Sequence, residues 1–375
     1  MKTSHVTTLT LDIGRIKSNL GVVREHLREM GGVEPGIIAV IKGFGYGTDD
    51  TVLAKLYSEE GVDFLAVAYV EEGIQLRKAG VKGRVIVLNP DSSTFNMLGE
   101  YSLEPSLISL NHLDRYAAWA RETNHKPEPV HLNFNSGMHR LGIAPSDVEP
   151  VASKLKEIKG VRLGTVYTHL AATESDEHDV ETKKQLEVFN GVCGMLRGEL
   201  NGHGELDCFK THALNSSGVA RFPENGLDFV RVGLCLLGSE LSKTKLDLKP
   251  AVYFRTVVTQ IRVVTAGNGL GYGYAEPADS DRVIAWLSVG YADGYPRSLS
   301  EGKGRVAING AIAPVAGRVC MDMTAVDVTG LDVKVGDEVE LFGDTVLLET
   351  VSEAAGTIPY EILARVHQRV IRVVL

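Results

Sequence analysis

Between residues 36 and 236, short apolar runs alternate with amphipathic stretches, and this alternation limits the possible folds more than any other feature. The apolar runs are rich in small and β-branched residues, which predicts buried strands, and the stretches between them have helical spacing. Eight strands with helical crossovers within about 200 residues favour a closed (β/α)8 barrel over an open doubly wound sheet. Strands are predicted at 36–42, 62–68, 84–89, 104–109, 128–135, 161–169, 208–215 and 229–236, with helices at 49–60, 70–79, 112–122, 146–159 and 180–200.

After about residue 243 the pattern changes to strand-like segments separated by Gly, Asp and Asn turns. We therefore predict an α/β chain with a TIM-like barrel at residues 11–242, followed by a mostly β C-terminal domain at 243–375. An opening strand at 6–12 is expected to pair with that domain, so residues 1–10 are assigned to it. The later strands are predicted at 251–264, 282–287, 305–308, 311–316, 324–328, 338–341 and 368–374, with helices at 348–355 and 358–365.

Composition favours a soluble enzyme of two domains, since the 375 residues are 44% apolar and 23% charged. The net charge of −9 argues against binding to nucleic acid or to an anionic membrane. The four cysteines lack the paired spacing of a zinc site and fit a reduced compartment, so no metal is expected. The N-terminus leads into a strand without an apolar signal core, and no run approaches a membrane span, so we expect a cytoplasmic protein.

Lys42 lies at the downstream end of the first predicted barrel strand, in the segment Ala-Val-Ile-Lys-Gly-Phe-Gly-Tyr-Gly at 39–47. Burial there lowers the pKa of an amine and makes it a candidate Schiff-base nucleophile. The three glycines that follow allow the backbone to approach a ligand closely. The alternative interpretation is a lysine whose stem packs at a strand end while its amine reaches water.

Further polar residues follow other barrel strands, at the end where such barrels carry their chemistry. Singly, each has a structural explanation: His169 as a core histidine, Arg231 as the partner of a carboxylate, and Ser216 as a helix N-cap. Jointly they predict a site for an aldehyde cofactor that carries a phosphate, pyridoxal phosphate, with Lys42 as the imine partner. The residues at the strand ends are Asn133, Asn135, Gly137, Met138, Arg140, Thr168, His169, Asn215, Ser216, Arg231, Gly233 and Leu234.

Eight segments in order resemble the alanine racemases, a family of pyridoxal-phosphate-dependent enzymes with a barrel and a β domain. The resemblance implies a cytoplasmic isomerase that interconverts L-alanine and D-alanine and supplies D-alanine for peptidoglycan precursors. The segments are Ala39–Lys42 with Tyr46 and Gly47, Gly137–Gly142, Tyr167–His169, Asn215–Ser216, Val230–Gly233, Gly271–Gly273, Gly290–Gly294 and Gly317–Met323.

The resemblance implies two bases, because racemisation requires a proton to leave one face of the α-carbon and return to the other. Lys42 would act on one face, and Tyr272 from the second subunit of a homodimer with shared active sites would act on the other. A phenol needs a cationic or hydrogen-bonding environment to act as a base, and His169, linked to Arg231, would supply it. Arg231 would face the cofactor's pyridine nitrogen, to which an arginine can only donate.

The same resemblance implies the contacts to the cofactor and the amino-acid substrate. Arg140 would contact the cofactor's phenolic oxygen and the substrate carboxylate, assisted by the backbone of Met321, with Tyr291 and Tyr272 nearby. For Tyr291 and Tyr360 an alternative is aromatic filling of the core. The remaining cofactor-binding residues would be Tyr46, Asn215, Ser216, Tyr360 and the backbone N–H groups of Gly233 and Leu234.

The chain departs from the family at two charged positions. Many alanine racemases carry a carbamylated lysine and an aspartate where this chain has Asn133 and Asn135. Arg140 would then be a buried cation without a counter-charge, which is costly. We therefore predict a small anion such as chloride between Arg140 and Asn133. The same change leaves open a broad-spectrum or serine-type racemase; a non-catalytic pyridoxal-phosphate carrier is the alternative from another class, although such carriers generally lack the β domain.

Overall fold

Residues 6–32, 34–123 and 128–375 are described by the computed structural model of the chain. Strand β1 (Thr8–Leu11) and the helix Ile13–Gly31 precede eight parallel strands that close a barrel in chain order, with the last pairing to the first. These strands are β2 (Gly36–Val40), β3 (Phe64–Val67), β4 (Val85–Val87), β5 (Glu104–Leu107), β6 (Val130–Asn133), β7 (Leu163–Tyr167), β8 (Lys210–His212) and β9 (Phe229–Val232). The predicted (β/α)8 barrel is confirmed.

Helices connect the barrel strands and cover the outside of the barrel. The observed strands all lie within the predicted ranges but are shorter, because the apolar pattern continues into turns at the strand ends and periodicity cannot separate the two. The helix Ile13–Gly31 was not predicted, although Asp12 caps it by accepting from the Arg15 amide at 3.0 Å. The other barrel helices are Asp50–Glu59, Val70–Lys78, Phe95–Glu100, Leu110–Thr123, Val148–Glu157, Asp179–Leu200 and Ser216–Arg221.

The C-terminal region is mostly antiparallel sheet, as predicted. Six of its strands form a closed circuit, in the order β11-β14-β13-β12-β15-β10, because β10 pairs with β11 as well as with β15. The strands are β10 (Val252–Val264), β11 (Arg282–Leu287), β12 (Arg305–Ile308), β13 (Ala311–Ala316), β14 (Thr324–Asp327), β15 (Glu338–Phe342) and β16 (Ile371–Val374), and the helices are Leu348–Ala355 and Pro359–Ala364.

The opening strand joins this sheet. Strand β1 lies between β10, to which it is antiparallel, and β16, to which it is parallel. The predicted strand pairing is thus observed, and residues 1–5 of the segment assigned to the second domain lie outside the described residues. The division at residue 242 stays an interpretation. In the described part of the chain, no helix has both the length and the apolar character needed to cross a membrane.

The interior of the barrel is apolar on one side and polar on the other. Strands β2 to β4 contribute a small cluster of Ile38, Phe64, Ala66 and Ile86. Strands β5 to β9 instead contribute buried polar side chains, most of which have hydrogen-bond partners inside the barrel. These side chains are Glu104, Ser106, His131, Asn133, Thr165, His212 and Arg231.

Glu104 is ionised in this interior. Burial opposes its ionisation, but hydrogen bonds from His131 at 3.0 Å and from the Arg84 guanidinium at 2.7 Å outweigh burial and lower the pKa of Glu104 to about 2. Only the outer partner, Arg84, reaches solvent, since about half of its side chain is exposed. The carboxylate therefore links the barrel interior to its outer surface.

We predict that Glu104→Gln is less stable than the wild type at neutral pH. This difference in the free energy of unfolding should shrink as the pH falls. A carboxylate with a depressed native pKa contributes stability above its unfolded pKa of about 4.5 and loses it as the pH falls towards about 2. At pH 7 the substitution should cost about 3 kcal/mol. Urea unfolding at a series of pH values measures this. Glu187→Gln, at an exposed glutamate, is the control and should stay close to wild type; a constant gap for Glu104→Gln would contradict the prediction.

Candidate active site

Lys42 begins a left-handed turn directly after strand β2. Residues 43–47 all have positive φ, between 56° and 79°, and two of them, Phe44 and Tyr46, are not glycine. Left-handed backbone is unfavourable for such residues, so the surrounding structure must hold the turn in place. Part of that support comes from Glu72, which accepts from the Gly43 amide at 2.6 Å while it caps the helix Val70–Lys78.

The C-terminal region holds the turn from the other side. Arg372 of strand β16 donates to the carbonyl oxygens of Gly47 at 2.6 Å and Thr48 at 3.2 Å. Gly47 packs so closely on the helix Pro359–Ala364 that a Cβ atom there would lie 2.0 Å from the Leu363 carbonyl oxygen. The two regions therefore build the neighbourhood of Lys42 together.

The surroundings of Lys42 lower the pKa of its amine. Burial is the largest cause, and the positive charges of Arg140 and Arg231 act in the same direction, while Glu72 opposes them. A larger fraction of the amine is therefore unprotonated at neutral pH than for an exposed lysine. The alternative interpretation, in which the amine of Lys42 reaches water, is not favoured. Lys42 is partly buried, and two arginines act on its amine.

Arg231 is buried within the barrel and contacts no carboxylate among the residues that the structure describes. Its Nη1 donates to His212 Nδ1 at 2.6 Å, and its Nη2 lies 2.8 Å from the Thr168 carbonyl oxygen, 2.9 Å from that of Ala213 and 3.2 Å from His169 Nδ1. The alternative that Arg231 pairs with a barrel carboxylate is therefore wrong for direct contact. Burial lowers the pKa of the guanidinium to about 10, which still leaves it charged at neutral pH.

His169 is neutral and has one ring nitrogen available as a donor. Burial, followed by the charges of Arg231, Arg140 and Lys42, lowers the pKa of the imidazole to about 3. Because its Nδ1 accepts from Arg231, the ring hydrogen resides on Nε2. The predicted link between His169 and Arg231 is therefore observed.

A cluster of hydrogen-bond donors lies next to Lys42, where helix Ser216–Arg221 begins. The N-cap of this helix is Asn215, whose Oδ1 accepts from the Gly218 amide at 2.9 Å. The Ser216 hydroxyl therefore does not cap the helix. The Gly233 amide lies 3.3 Å from Ser216 Oγ, and a Cβ at Gly233 would lie 2.5 Å from the Tyr46 hydroxyl. Burial raises the pKa values of the Tyr46 and Tyr360 phenols, whose rings lie 5.5 Å apart, so both remain donors.

The two asparagines after strand β6 have different roles. Asn135 Oδ1 accepts from the amides of Gly137 and His139, at 3.1 and 3.0 Å, and so shapes the loop that leads to Arg140. The side-chain amide of Asn133 makes no hydrogen bond among the described residues. Together with Arg140, Asn133 lines a cavity with room for about one water-sized species. Arg140 itself is exposed in the single chain, so its expected burial is wrong there.

Three further predicted residues lie on the C-terminal region and are solvent-accessible. Tyr272, Met321 and Tyr291 are 70%, 53% and 43% exposed. Tyr291 and Met321 are neighbours, since the amides of Tyr291 and Ala292 donate to the Cys320 and Met321 carbonyls, each at 3.0 Å. Within the described ranges no hydrogen bond or ion pair joins Tyr272 to Lys42. The single chain therefore brings together Lys42, Arg140, His169 and Arg231.

Comparisons with known proteins agree on one family. Residues 11–240 match the family model "Alanine racemase, N-terminal domain" and residues 251–374 match "Alanine racemase, C-terminal domain". The alanine racemase of Halothermothrix orenii is 35% identical over 384 aligned positions, which cover 98% of this chain and 96% of that enzyme. The chain belongs to the alanine racemase family.

Solved alanine racemases share the whole fold. The enzyme from Clostridium difficile superimposes with a TM-score of 0.89 at 30% identity, over 100% of this chain and 97% of the other. The Bartonella henselae enzyme, solved with covalently bound pyridoxal phosphate, gives 0.88 at 28% identity, over 99% of both chains. The predicted family and enzyme class are confirmed, and pyridoxal phosphate is confirmed as the cofactor of the family.

Several residues that support the site were not indicated by the sequence motifs. Glu72 and Arg372 hold the Lys42 turn from distant segments, and their sequence context is that of ordinary surface charges. His212 and Thr165 contact Arg231 or its partner inside the barrel. Their signal was a polar residue within a run predicted as a buried strand, which indicates an internal hydrogen-bond partner.

We predict that Gly47→Ala destabilises the protein by at least about 2 kcal/mol more than Gly80→Ala. Both glycines have positive φ, but only at Gly47 would a Cβ collide with backbone, while at Gly80 it would meet open space. The pair therefore separates steric contact from backbone strain. Urea unfolding of both variants measures the difference, and equal losses would show that the contact with Leu363 is unimportant.

Proposed function

We propose that the protein interconverts L-alanine and D-alanine with pyridoxal phosphate bound at the rim of the barrel. The observation that carries this proposal is the lysine of lowered pKa beside a buried arginine and a cluster of donors. The donor set fits the cofactor, because the hydroxyls of Ser216, Tyr46 and Tyr360 suit a phosphate. Because residue 233 is a glycine, it has no side chain that would obstruct the phosphate.

Residues of both regions would hold the cofactor. Lys42 would bind the cofactor covalently, and Arg231 and His169 would lie beside the cofactor ring. The bound cofactor supplies an electron-accepting ring that makes the α-hydrogen of the amino acid acidic. The phosphate would be held by Tyr46, Ser216, Tyr360 and the backbone N–H groups of Gly233 and Leu234, with Asn215 fixing the helix behind Ser216.

The two proposed bases act on opposite faces of the substrate. Lys42 Nζ would accept or return the proton on one face, aided by its lowered pKa. The Tyr272 hydroxyl of a second copy would do so on the other, with the neutral His169 offering its Nε2 hydrogen as a donor. Arg140 would bind the substrate carboxylate, with Met321 and Tyr291 beside it.

Arg231 would favour racemisation over other chemistry. A guanidinium keeps its proton, so Arg231 would donate a hydrogen bond to the ring nitrogen of the bound cofactor rather than protonate it. The ring would then withdraw electrons less strongly than with a carboxylate partner, which would favour racemisation over transamination.

A second copy of the chain is the proposed partner. Several large apolar side chains of the C-terminal region are 43–83% exposed, and exposed apolar side chains are found at interaction sites. They include three residues expected to act on the substrate or lie beside it, so the site would be completed by dimerisation. These side chains are Tyr272, Tyr274, Tyr291, Met321 and Met323.

The test of function is proton NMR in D2O with purified holoenzyme. α-Deuterium incorporation and chirality are followed for L-alanine, serine, lysine, arginine, glutamine and methionine. Exchange with racemisation confined to alanine, with slight activity on serine, supports the proposal. Absence of exchange with all six substrates would overturn it and favour a cofactor carrier.

Asn133 favours a second candidate function, that of a broad-spectrum racemase. Its neutral side chain stands at a position where a charge is expected in the family. Comparable turnover of the long side chains in the same experiment would identify this candidate. Reversion of Asn133 and Asn135 to lysine and aspartate would then be expected to narrow the substrate range.

We predict that two inactive variants restore activity when they form mixed dimers. Lys42→Ala and Tyr272→Phe should each abolish turnover. If each site takes Lys42 from one chain and Tyr272 from the other, random mixing after co-expression should recover about one quarter of wild-type activity, because half of the dimers then contain one intact site. The double variant Lys42→Ala/Tyr272→Phe mixed with Tyr272→Phe is the control without an intact site. No recovery in the test mixture would contradict shared sites.

We predict a halide between Arg140 and Asn133. The Asn133 amide has no partner in the described part of the chain, and the cavity it shares with Arg140 holds about one small species. Crystals of the holoenzyme grown in bromide should show an anomalous peak there. Asn133→Leu should remove the peak, and water alone at the wild-type position would contradict the prediction.

A further inference from the structure

A continuous chain of hydrogen bonds crosses the barrel from Arg231 to the opposite rim. His212 Nε2 lies 2.9 Å from Thr165 Oγ1, which lies 2.8 Å from His131 Nδ1. His131 Nε2 lies 3.0 Å from Glu104 Oε2. The three intermediate side chains are 0–1% exposed, so water does not compete for these contacts.

The ends of this chain determine the direction of every hydrogen bond in it. An arginine only donates, so His212 Nδ1 must accept from Arg231 and His212 must carry its hydrogen on Nε2. That hydrogen is donated to Thr165, whose own hydroxyl is then free to donate to His131 Nδ1. An ionised carboxylate only accepts, so His131 Nε2 donates to Glu104. This arrangement is compatible with both ends of the chain.

The chain also joins two opposite charges that do not touch. In the described parts of the chain Arg231 has no contacting carboxylate, and Glu104 is the acidic end of its hydrogen-bond chain. The pKa of Glu104 is lowered to about 2, and burial holds the pKa of His212 well below its usual value, so the intermediate imidazole is neutral. At the outer end, Arg84 pairs with Glu104 at the rim far from Lys42.

We propose that Glu104, His131 and Thr165 are positioning residues that hold His212 in its Nε2–H form and thereby orient Arg231. A different tautomer of His212 would direct a hydrogen at the Arg231 guanidinium and push it away from its position. The inference rests on the proposed role of Arg231 beside the cofactor ring. It extends that role to residues on the other side of the barrel, none of which contacts the cofactor.

The test compares Thr165→Val with Thr165→Ser. Valine matches threonine in shape but cannot pass on the hydrogen bond, whereas serine can. The control is Thr182→Val, since the buried Thr182 hydroxyl has no partner among the described residues. Two-bond 1H–15N spectra of 15N-histidine-labelled holoenzyme report the His212 tautomer, assigned by comparison with His212→Gln. The kcat and KM for L-alanine are measured on the same samples.

In Thr165→Val the Nε2 hydrogen of His212 loses its acceptor, and we expect the contact with Arg231 alone to be insufficient to hold His212 in the Nε2–H form. We expect kcat to fall about tenfold or more, the usual size for loss of an orienting hydrogen bond near an active site, with KM within about twofold. Thr165→Ser should restore both readouts, and Thr182→Val should match wild type. A wild-type tautomer and kcat in Thr165→Val, or no restoration by serine, would overturn the inference.

A second variant covers the case that Thr165→Val does not fold. Glu104→Gln keeps an acceptor for His131 but removes the charge, and it should alter the His212 spectrum and lower kcat; an unchanged spectrum and kcat would overturn the inference. If the wild-type holoenzyme shows the Nε2–H form but no racemisation, the proposed function fails while the hydrogen-bond chain stands.

Discussion

The burial of one positive charge, that of Arg231, is the constraint on which the rest of the barrel depends. A guanidinium removed from water is costly unless its donors are satisfied. Here the polar half of the barrel satisfies them, with two carbonyl oxygens and two imidazoles. This explains why strands β5 to β9 carry polar side chains inward while β2 to β4 pack an ordinary apolar cluster.

The same cation affects the groups around it. The charge of Arg231 is among the causes that lower the pKa values of Lys42 and His169, after burial in both cases. One buried charge thus helps to keep the imidazole neutral and favours the unprotonated form of the amine. The strained turn that carries Lys42 is stabilised separately, by Glu72 from the barrel and by Arg372 from the sheet.

The fold and most of the site follow from local sequence pattern. Eight apolar runs predicted eight strands, and motifs with fixed spacing identified Lys42, His169, Arg231 and Ser216. The pattern failed at the strand ends, where β8 stops at His212 and the N-cap is Asn215. Turn residues there are as apolar as strand residues, so only backbone geometry distinguishes them. The exposure of Arg140 was missed because burial depends on neighbours from other segments.

Periodicity and motif spacing are local properties, so the amino-acid pattern was enough to predict the α/β barrel, the β domain and the side chains at the strand ends. Which of these side chains meet depends on how the chain folds in three dimensions. The contact of Arg372 with the Lys42 turn joins residues more than 300 positions apart. The chain from Arg231 to Glu104 crosses five strands, and its directions depend on hydrogen-bond geometry in three dimensions.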